Sequence, residues 1–272
     1  MPGYEVSESG GVASTTMQLK GKTALVAGAG RNNGRAIAVA FAREGADLIL
    51  VARTLGDELE QVARECEARG AQTLSVLADV GDPKEVERVV EQGLNRFGKV
   101  DVLACVAAIR PHRPFWEVSV EEWAQVFAVN THSTFYLARA LAPSMMSRKG
   151  GSIIALGGMA SLTSEALGAA VVASKHALYG LIKSLALELG PYGIRANLLA
   201  LSNIKNKRLN PEWYAQRAQD AVMNVTGGDP HASPLGRNGT PQEVAAVATF
   251  LASDQSSYVT GDRILCAGGK YM

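Results

Sequence analysis

Two stretches of this 272-residue chain carry residue types whose order could do chemistry. The first is Ala27-Gly28-Ala29-Gly30-Arg31-Asn32-Asn33-Gly34-Arg35, set between an apolar run and a helical pattern. Glycine lets a backbone come close to a pyrophosphate, and a helix that starts there adds free N–H groups and the positive end of its dipole. Without a ligand the same run would be only a glycine-rich turn. The second stretch is Leu50-Val51-Ala52-Arg53, at the end of the next apolar run. Chains that hold an adenosine ribose by its hydroxyls commonly place an acid there. Here Ala52 stands at that position, with Arg53 following and Arg31 in the loop opposite. Two guanidiniums and no carboxylate suit a 2′-phosphate, so NADP(H) is favoured over NAD(H). Read without a ligand, Arg53 is a solvated strand-end charge. The three cysteines, Cys66, Cys105 and Cys266, are far apart and form no C-x-x-C pair, which argues against a disulfide framework or a metal site and fits a reducing cytoplasm.

The elements that position these residues follow from apolar runs and start signals. Seven strand candidates, 23–27, 47–52, 73–77, 100–106, 152–156, 195–201 and 263–266, are mostly continuous apolar runs, as strands covered on both faces read. Asp82-Pro83-Lys84-Glu85, Ser119-Val120-Glu121-Glu122 and Thr240-Pro241-Gln242-Glu243 supply helix caps and first-turn acids. Strands alternating with helices predict an α/β, Rossmann-like, doubly wound seven-stranded parallel sheet in a single domain, with ligands held beyond the carboxyl ends of the strands. Residues 1–18 read as a flexible lead-in without an apolar signal core, residues 19–272 as the domain, and about 202–238 as a lid over the crevice. Cys105 and Cys266 read as buried small hydrophobes.

Composition bounds the function. Hydrophobic residues make up 47% and charged residues 19%, enough apolar mass for a core. The net charge of +1 offers nothing to a nucleic-acid backbone. No apolar run approaches the ~20 residues a bilayer needs, so a cytoplasmic protein without a membrane partner is expected.

With the glycine loop, Ala78-Asp79-Val80, Phe97-Gly98-Lys99-Val100-Asp101, Asn130, Ser174-Lys175, Pro234-Leu235-Gly236-Arg237 and Phe250-Leu251-Ala252-Ser253-Asp254 in view, the chain resembles the short-chain dehydrogenase/reductase family from about Leu19 to Gly269. The resemblance implies that Gly28, Gly30, Arg31, Asn33, Gly34, Arg53, Asp79, Val80, Ala107, Lys175 and Ile204 bind the cofactor, Asp79 through the adenine amino group. It also implies a homotetramer or homodimer built through the fourth and fifth helices and the last strand. In the loop, Ala27 replaces a threonine and Asn32 a glycine; Asn tolerates left-handed backbone. The family's chemistry uses Ser, Tyr and Lys, with an Asn that holds a water chain. Lys175 and Asn130 match the last two. Val171 stands four residues before Lys175, where the tyrosine belongs, and Gly158 thirteen before that, where the serine belongs.

Of the seven tyrosines only Tyr179 precedes a lysine, Lys183, by four residues. That pair is the rival register, set aside because Ala173-Ser174-Lys175-His176-Ala177 resembles the family's catalytic segment. Tyr179, Tyr214, His112, Ser161, Thr163 and Ser164 are the groups that could substitute for the missing hydroxyls, and each also has a plain packing or turn-forming role. Two functions follow. One is a divergent NADP(H)-dependent oxidoreductase of a carbonyl or alcohol substrate with an atypical active site. The other is a non-redox role on the same scaffold: an inactive ligand-binding or regulatory subunit, or lyase, isomerase or hydrolase chemistry. Arg110, His112, Arg113, Lys205, Lys207 and Arg208 hint at an anionic or acyl-type substrate.

Overall fold

A computed structural model describes residues 17–54, 56–205 and 233–270. Seven parallel strands run in the order β3-β2-β1-β4-β5-β6-β7. They are β1 (Thr23–Ala27), β2 (Asp47–Ala52), β3 (Thr73–Leu77), β4 (Val102–Cys105), β5 (Gly151–Leu156), β6 (Ile194–Leu201) and β7 (Arg263–Cys266). All seven predicted strands form, with ends shifted by at most two residues. The chain leaves β3 at one edge, crosses back over β1 and pairs β4 with β1, so the strand order reverses between those two. Crevices in open α/β sheets lie at that switch, beyond the carboxyl ends.

Alternation along β1 shows why the strands read as unbroken apolar runs. Ala24 and Val26 join the core on one face, with α1 (Asn32–Arg43), α2 (Gly56–Glu67) and α7 (Pro241–Ala252). Leu25 and Ala27 join the other, with α3 (Pro83–Phe97), α5 (Ser133–Ser147) and α6 (Ala169–Leu189). Both faces are covered, so both sets of side chains must be apolar.

The caps form as their residue types require. Asp82 accepts from the Lys84 amide at 2.8 Å and Ser119 from the Glu122 amide at 3.1 Å. Thr240 and Glu243 close a reciprocal capping box. The stretch 119–147 is not one helix. It splits into α4 (Val120–Phe127) and α5 by a π-helical turn, Ala128–His132. Phe135 on α5 is exposed in the single chain.

Residues 17 and 18 differ from the flexible lead-in expected over 1–18: the Gln18 amide donates to Glu44 Oε2 at 3.2 Å and the next residue, Leu19, is buried. Cys266 is half-buried rather than buried, because it lies on the edge strand; all three cysteines are free. Residues 1–16 and most of the expected lid, 206–232, lie outside the described residues. The two ends of that segment meet in a parallel bridge between Ile204 and Gly239. No helix among the described residues is long and apolar enough to cross a membrane.

Candidate functional site

β1 runs into a turn that glycine alone can make. Gly28 has φ +93°, and a Cβ there would stand 2.7 Å from the Ala107 amide nitrogen. A Cβ on Gly34 would stand 1.9 Å from the Gly28 carbonyl oxygen. Asn32 takes the left-handed conformation, φ +50°, so the substituted loop keeps its turn. α1 then starts without a side-chain cap on Arg31 and without an acid in its first turn. Its first N–H groups and positive dipole end are left for a ligand. The Nε of Arg31 and the Oδ1 of Asn33 are buried with no hydrogen-bond partner among the described residues. Unpaired buried polar atoms are costly, and here both belong to residues lining the same cleft.

The adenosine end differs from expectation in one respect. No carboxylate stands at the end of β2 itself, but one arrives from the first turn of α2, which follows it. Glu58 Oε1 lies 2.9 Å from Arg31 Nη2, and Asp79 Oδ2 lies 3.7 Å from Arg53 Nη1. Both guanidiniums therefore have counter-charges. Asp79 also acts as a turn former, its Oδ1 accepting from the Gly81 amide at 2.9 Å.

At the other end, Lys175 on α6 is buried and donates to the Leu156 carbonyl at 2.7 Å. Burial, and secondarily the positive charge of Arg110, lower its pKa from 10.5 to about 7. The nearby Cys105 thiol is pushed up to about 12 by its own burial, so it stays protonated. Asn130, in the π turn, clamps the chain after β4: Oδ1 accepts from the Ile109 amide at 2.9 Å, and Nδ2 donates to the Ile109 carbonyl at 3.0 Å. Nδ2 also reaches Ser174 Oγ at 3.1 Å, a partner the sequence did not signal. Val171 is buried with Val126, Ala160 and Ala170. Gly158 has φ +75°, a conformation that strains any serine placed there.

A cleft of about 620 Å³ joins these groups. Every residue assigned to cofactor binding lines it, as do Val171, Gly158 and Lys175; Asn130 stands behind the wall. Among the described residues, the groups named as possible substitutes for the family's hydroxyls do not line it. The Tyr179 ring lies under the Arg263 guanidinium, 4.9 Å from its centroid, and Lys183 sits over the same ring at 5.8 Å. The rival pair is thus a cation–π contact away from the cleft. His112 is buried, with Nδ1 2.9 Å from the Arg110 carbonyl oxygen and Nε2 3.1 Å from Glu165 Oε1. Ser161 Oγ donates to the Gly158 carbonyl and Thr163 Oγ1 to that of Met159, as turn formers do. Ser164 lines a separate outer groove. Tyr214 lies outside the described residues.

The basic set hinting at an anion is also reduced. Arg113 pairs with Glu122 at 2.8 Å and His112 with Glu165, while Lys207 and Arg208 lie outside the described residues. Arg110 and Lys205 do line the cleft. Glu58 and Glu165 were missed. The acidic first turn of α2 was the available sign of Glu58; nothing local marks Glu165.

Comparison with known proteins supports the fold. A family model described as enoyl-(acyl carrier protein) reductase matches residues 28–270. An L-rhamnose 1-dehydrogenase (NAD(P)(+)) of Sphingomonas sp. (strain SKA58) is 33% identical, covering 93% of this chain and 98% of its own. A 3-oxoacyl-(acyl-carrier-protein) reductase of Salmonella typhimurium is 34% identical, covering 94% of this chain and all of its own, 100%. The crystal structure of a short-chain type dehydrogenase/reductase from Mycobacterium marinum superposes with a TM-score of 0.80 at 30% identity, over 94% of this chain and 97% of that one.

Proposed function

The chain belongs to the short-chain dehydrogenase/reductase family, and from that premise we propose that it is an NADP(H)-dependent oxidoreductase of a carbonyl or alcohol substrate whose proton is handled by Lys175 rather than by a tyrosine. One observation carries the reading. The glycine loop, Arg31, Arg53, Asp79 and Lys175 line a single cleft at the carboxyl ends of the strands.

The residues fit a dinucleotide. Gly28 and Gly34 leave no room for a side chain, the first turn of α1 is uncapped, and Arg31 Nε and Asn33 Oδ1 are buried without partners. The loop and α1 would hold the pyrophosphate, Arg31 and Arg53 a 2′-phosphate, and Asp79 and Val80 the adenine. Ala107, Ile204 and Lys175 would border the nicotinamide. When bound, the cofactor supplies or accepts hydride.

The remaining chemistry belongs to the chain. Lys175 spends one N–H on the Leu156 carbonyl, and the other two can reach a substrate oxygen. A pKa of about 7 suits an acid that must also work as a base near neutrality. Asn130 fixes the loop carrying Ile109 and Arg110. A positioned acid contributes about 10²–10⁴-fold in rate, so replacing the phenol by an amine predicts slow turnover rather than none.

Two wider features complete the reading. A cytoplasmic location draws on the three free cysteines. A homodimer or homotetramer draws on exposed Trp123 and Phe135 beside the π turn, Leu187 on α6 and Leu265 on β7.

The test is titration with NADPH and NADH, followed by loss of NADPH absorbance with a carbonyl panel. Tighter binding of NADPH and slow reduction are expected. No dinucleotide binding would overturn this reading in favour of the non-redox one, which draws on Val171 and Gly158.

A further inference from the structure

We propose that Arg110 anchors a carboxylate of the substrate, which narrows the substrate class to oxo acids and the corresponding hydroxy acids. The inference rests on the oxidoreductase reading of the same cleft and goes beyond it by naming the group recognised and the residue that recognises it.

The wall built from β4, β5 and α6 is almost wholly apolar, with Val106, Ile109, Leu156, Ala160 and Val171 facing the cleft. Gly158 and Val171 bring no hydroxyl. Among the described residues of that wall, the side-chain donors are Lys175 and Arg110. A guanidinium is charged at any working pH and presents a planar fork of donors that matches a carboxylate.

The protein holds Arg110 by its backbone and leaves its head loosely engaged. Asn130 bonds both polar groups of the Ile109 main chain, and His112 Nδ1 lies 2.9 Å from the Arg110 carbonyl oxygen. Among the described residues the guanidinium has one counter-charge, Glu165 Oε1 at 3.8 Å. That distance is too long for a hydrogen bond. The same oxygen is 3.1 Å from His112 Nε2 and so is already engaged. The backbone is fixed while most of the donor fork is open to a ligand, the arrangement of a preorganised anchor.

A second observation points the same way. Arg110 acts electrostatically on Lys175, so two cationic groups share one end of the cleft. A bound carboxylate would offset the first and favour the ammonium form of the second. Anionic substrates would then be bound and primed for proton delivery by one charge.

The experiment compares wild type with Arg110→Gln and Arg110→Lys. Pyruvate and acetoacetate are set against their methyl esters with NADPH, following absorbance loss. In a separate arm, oxamate and oxamide are titrated calorimetrically into the protein with and without NADPH. Wild type is expected to favour the acids by tenfold or more in kcat/KM. Arg110→Gln should raise KM for the acids at least tenfold and leave KM for the esters unchanged, while kcat for both shifts together because Arg110 no longer lowers the Lys175 pKa; Arg110→Lys should recover part of the KM loss. Equal use of acids and esters by wild type, or an acid preference that survives Arg110→Gln, overturns the anchor. If no carbonyl turns over, the oxidoreductase reading fails and calorimetry decides the anchor alone. Oxamate binding that Arg110→Gln abolishes supports it; oxamate that binds no better than oxamide, or not at all, overturns it. Arg110 is half-exposed and makes no close side-chain bond among the described residues, so the variants should melt like wild type.

Discussion

The proton-handling role proposed for Lys175 comes at a cost to the fold. Its pKa is lowered from 10.5 to about 7, first by burial and then by Arg110. Between those values the unfolded chain binds a proton that the folded chain lacks, so stability rises as pH climbs through the window. Below pH 7 the penalty of a buried ammonium is present in full. Lys175→Met should therefore stabilise the protein, by on the order of 3–5 kcal/mol at pH 6 and much less at pH 10, read from urea midpoints. A gain independent of pH would contradict the shifted lysine. By the same titration, carbonyl reduction by wild type should fall above about pH 7 and alcohol oxidation should rise. Val171 lies one helical turn before Lys175 and lines the cleft. Val171→Tyr should set a phenol beside the ammonium and speed reduction of a given ketone by about 10²-fold or more, from a positioned acid. No gain in a variant that still folds and binds cofactor would mean that helix register is not what limits the rate. That one-turn spacing was legible by counting back from Lys175. Glu58 and Glu165 were not, because their contacts join residues 27 and 53 positions apart and carry no local pattern.

Element by element, start signals transferred well from sequence to structure because they act within four residues. Thr240-Pro241-Gln242-Glu243 became a closed capping box whose acid also pairs with Arg237 at 2.6 Å. Thr240→Ala should cost about 1 kcal/mol, seen as a lower urea midpoint with unchanged m-value, and should leave cofactor affinity alone. A changed affinity would mean that α7 communicates with the cleft. The π turn at 128–132 had no such signature, since apolar spacing stays helical across it. Its consequence is positional: the turn aims both Asn130 and Thr131 at Ser174 of α6, through Nδ2 to Oγ at 3.1 Å and Oγ1 to the carbonyl at 2.8 Å. π turns inside helices are frequent at functional sites. Counting along the sequence puts Gly158 at the family's serine position, but nothing in the sequence marks it as a left-handed residue. Its backbone, rather than crowding, resists replacement, because the nearest atom to an added Cβ is Leu201 O at 3.8 Å. A serine added there to restore the family's set would have to work against that strain.

For the molecule as a whole, sheet order puts the crevice where β1 and β4 diverge, while a net charge of +1 gives no long-range field to gather an anionic cofactor. Attraction must then be local, from the open amides of α1 and from Arg31 and Arg53. Glu58 and Asp79 bring equal negative charge to the same end. A 2′-phosphate thus competes for guanidiniums already held, and its advantage over a hydroxyl is a difference between ion pairs made and broken. Such part-exposed pairs are worth about 0–1 kcal/mol each, so the preference for NADPH should be about tenfold or less. Ligand at 100 times Kd adds about 2.7 kcal/mol to stability. For chains near this size each kcal/mol moves Tm by about 2–4 °C, which gives a rise of roughly 5–10 °C with NADPH. NADH at the same concentration should give less, and the gap should narrow in 1 M salt, where screening acts within about 3 Å. Glu58→Gln removes the competitor closest to Arg31, so it should widen the gap by enlarging the NADPH shift alone. Identical shifts for the two cofactors in both proteins would place selectivity somewhere other than the 2′ position.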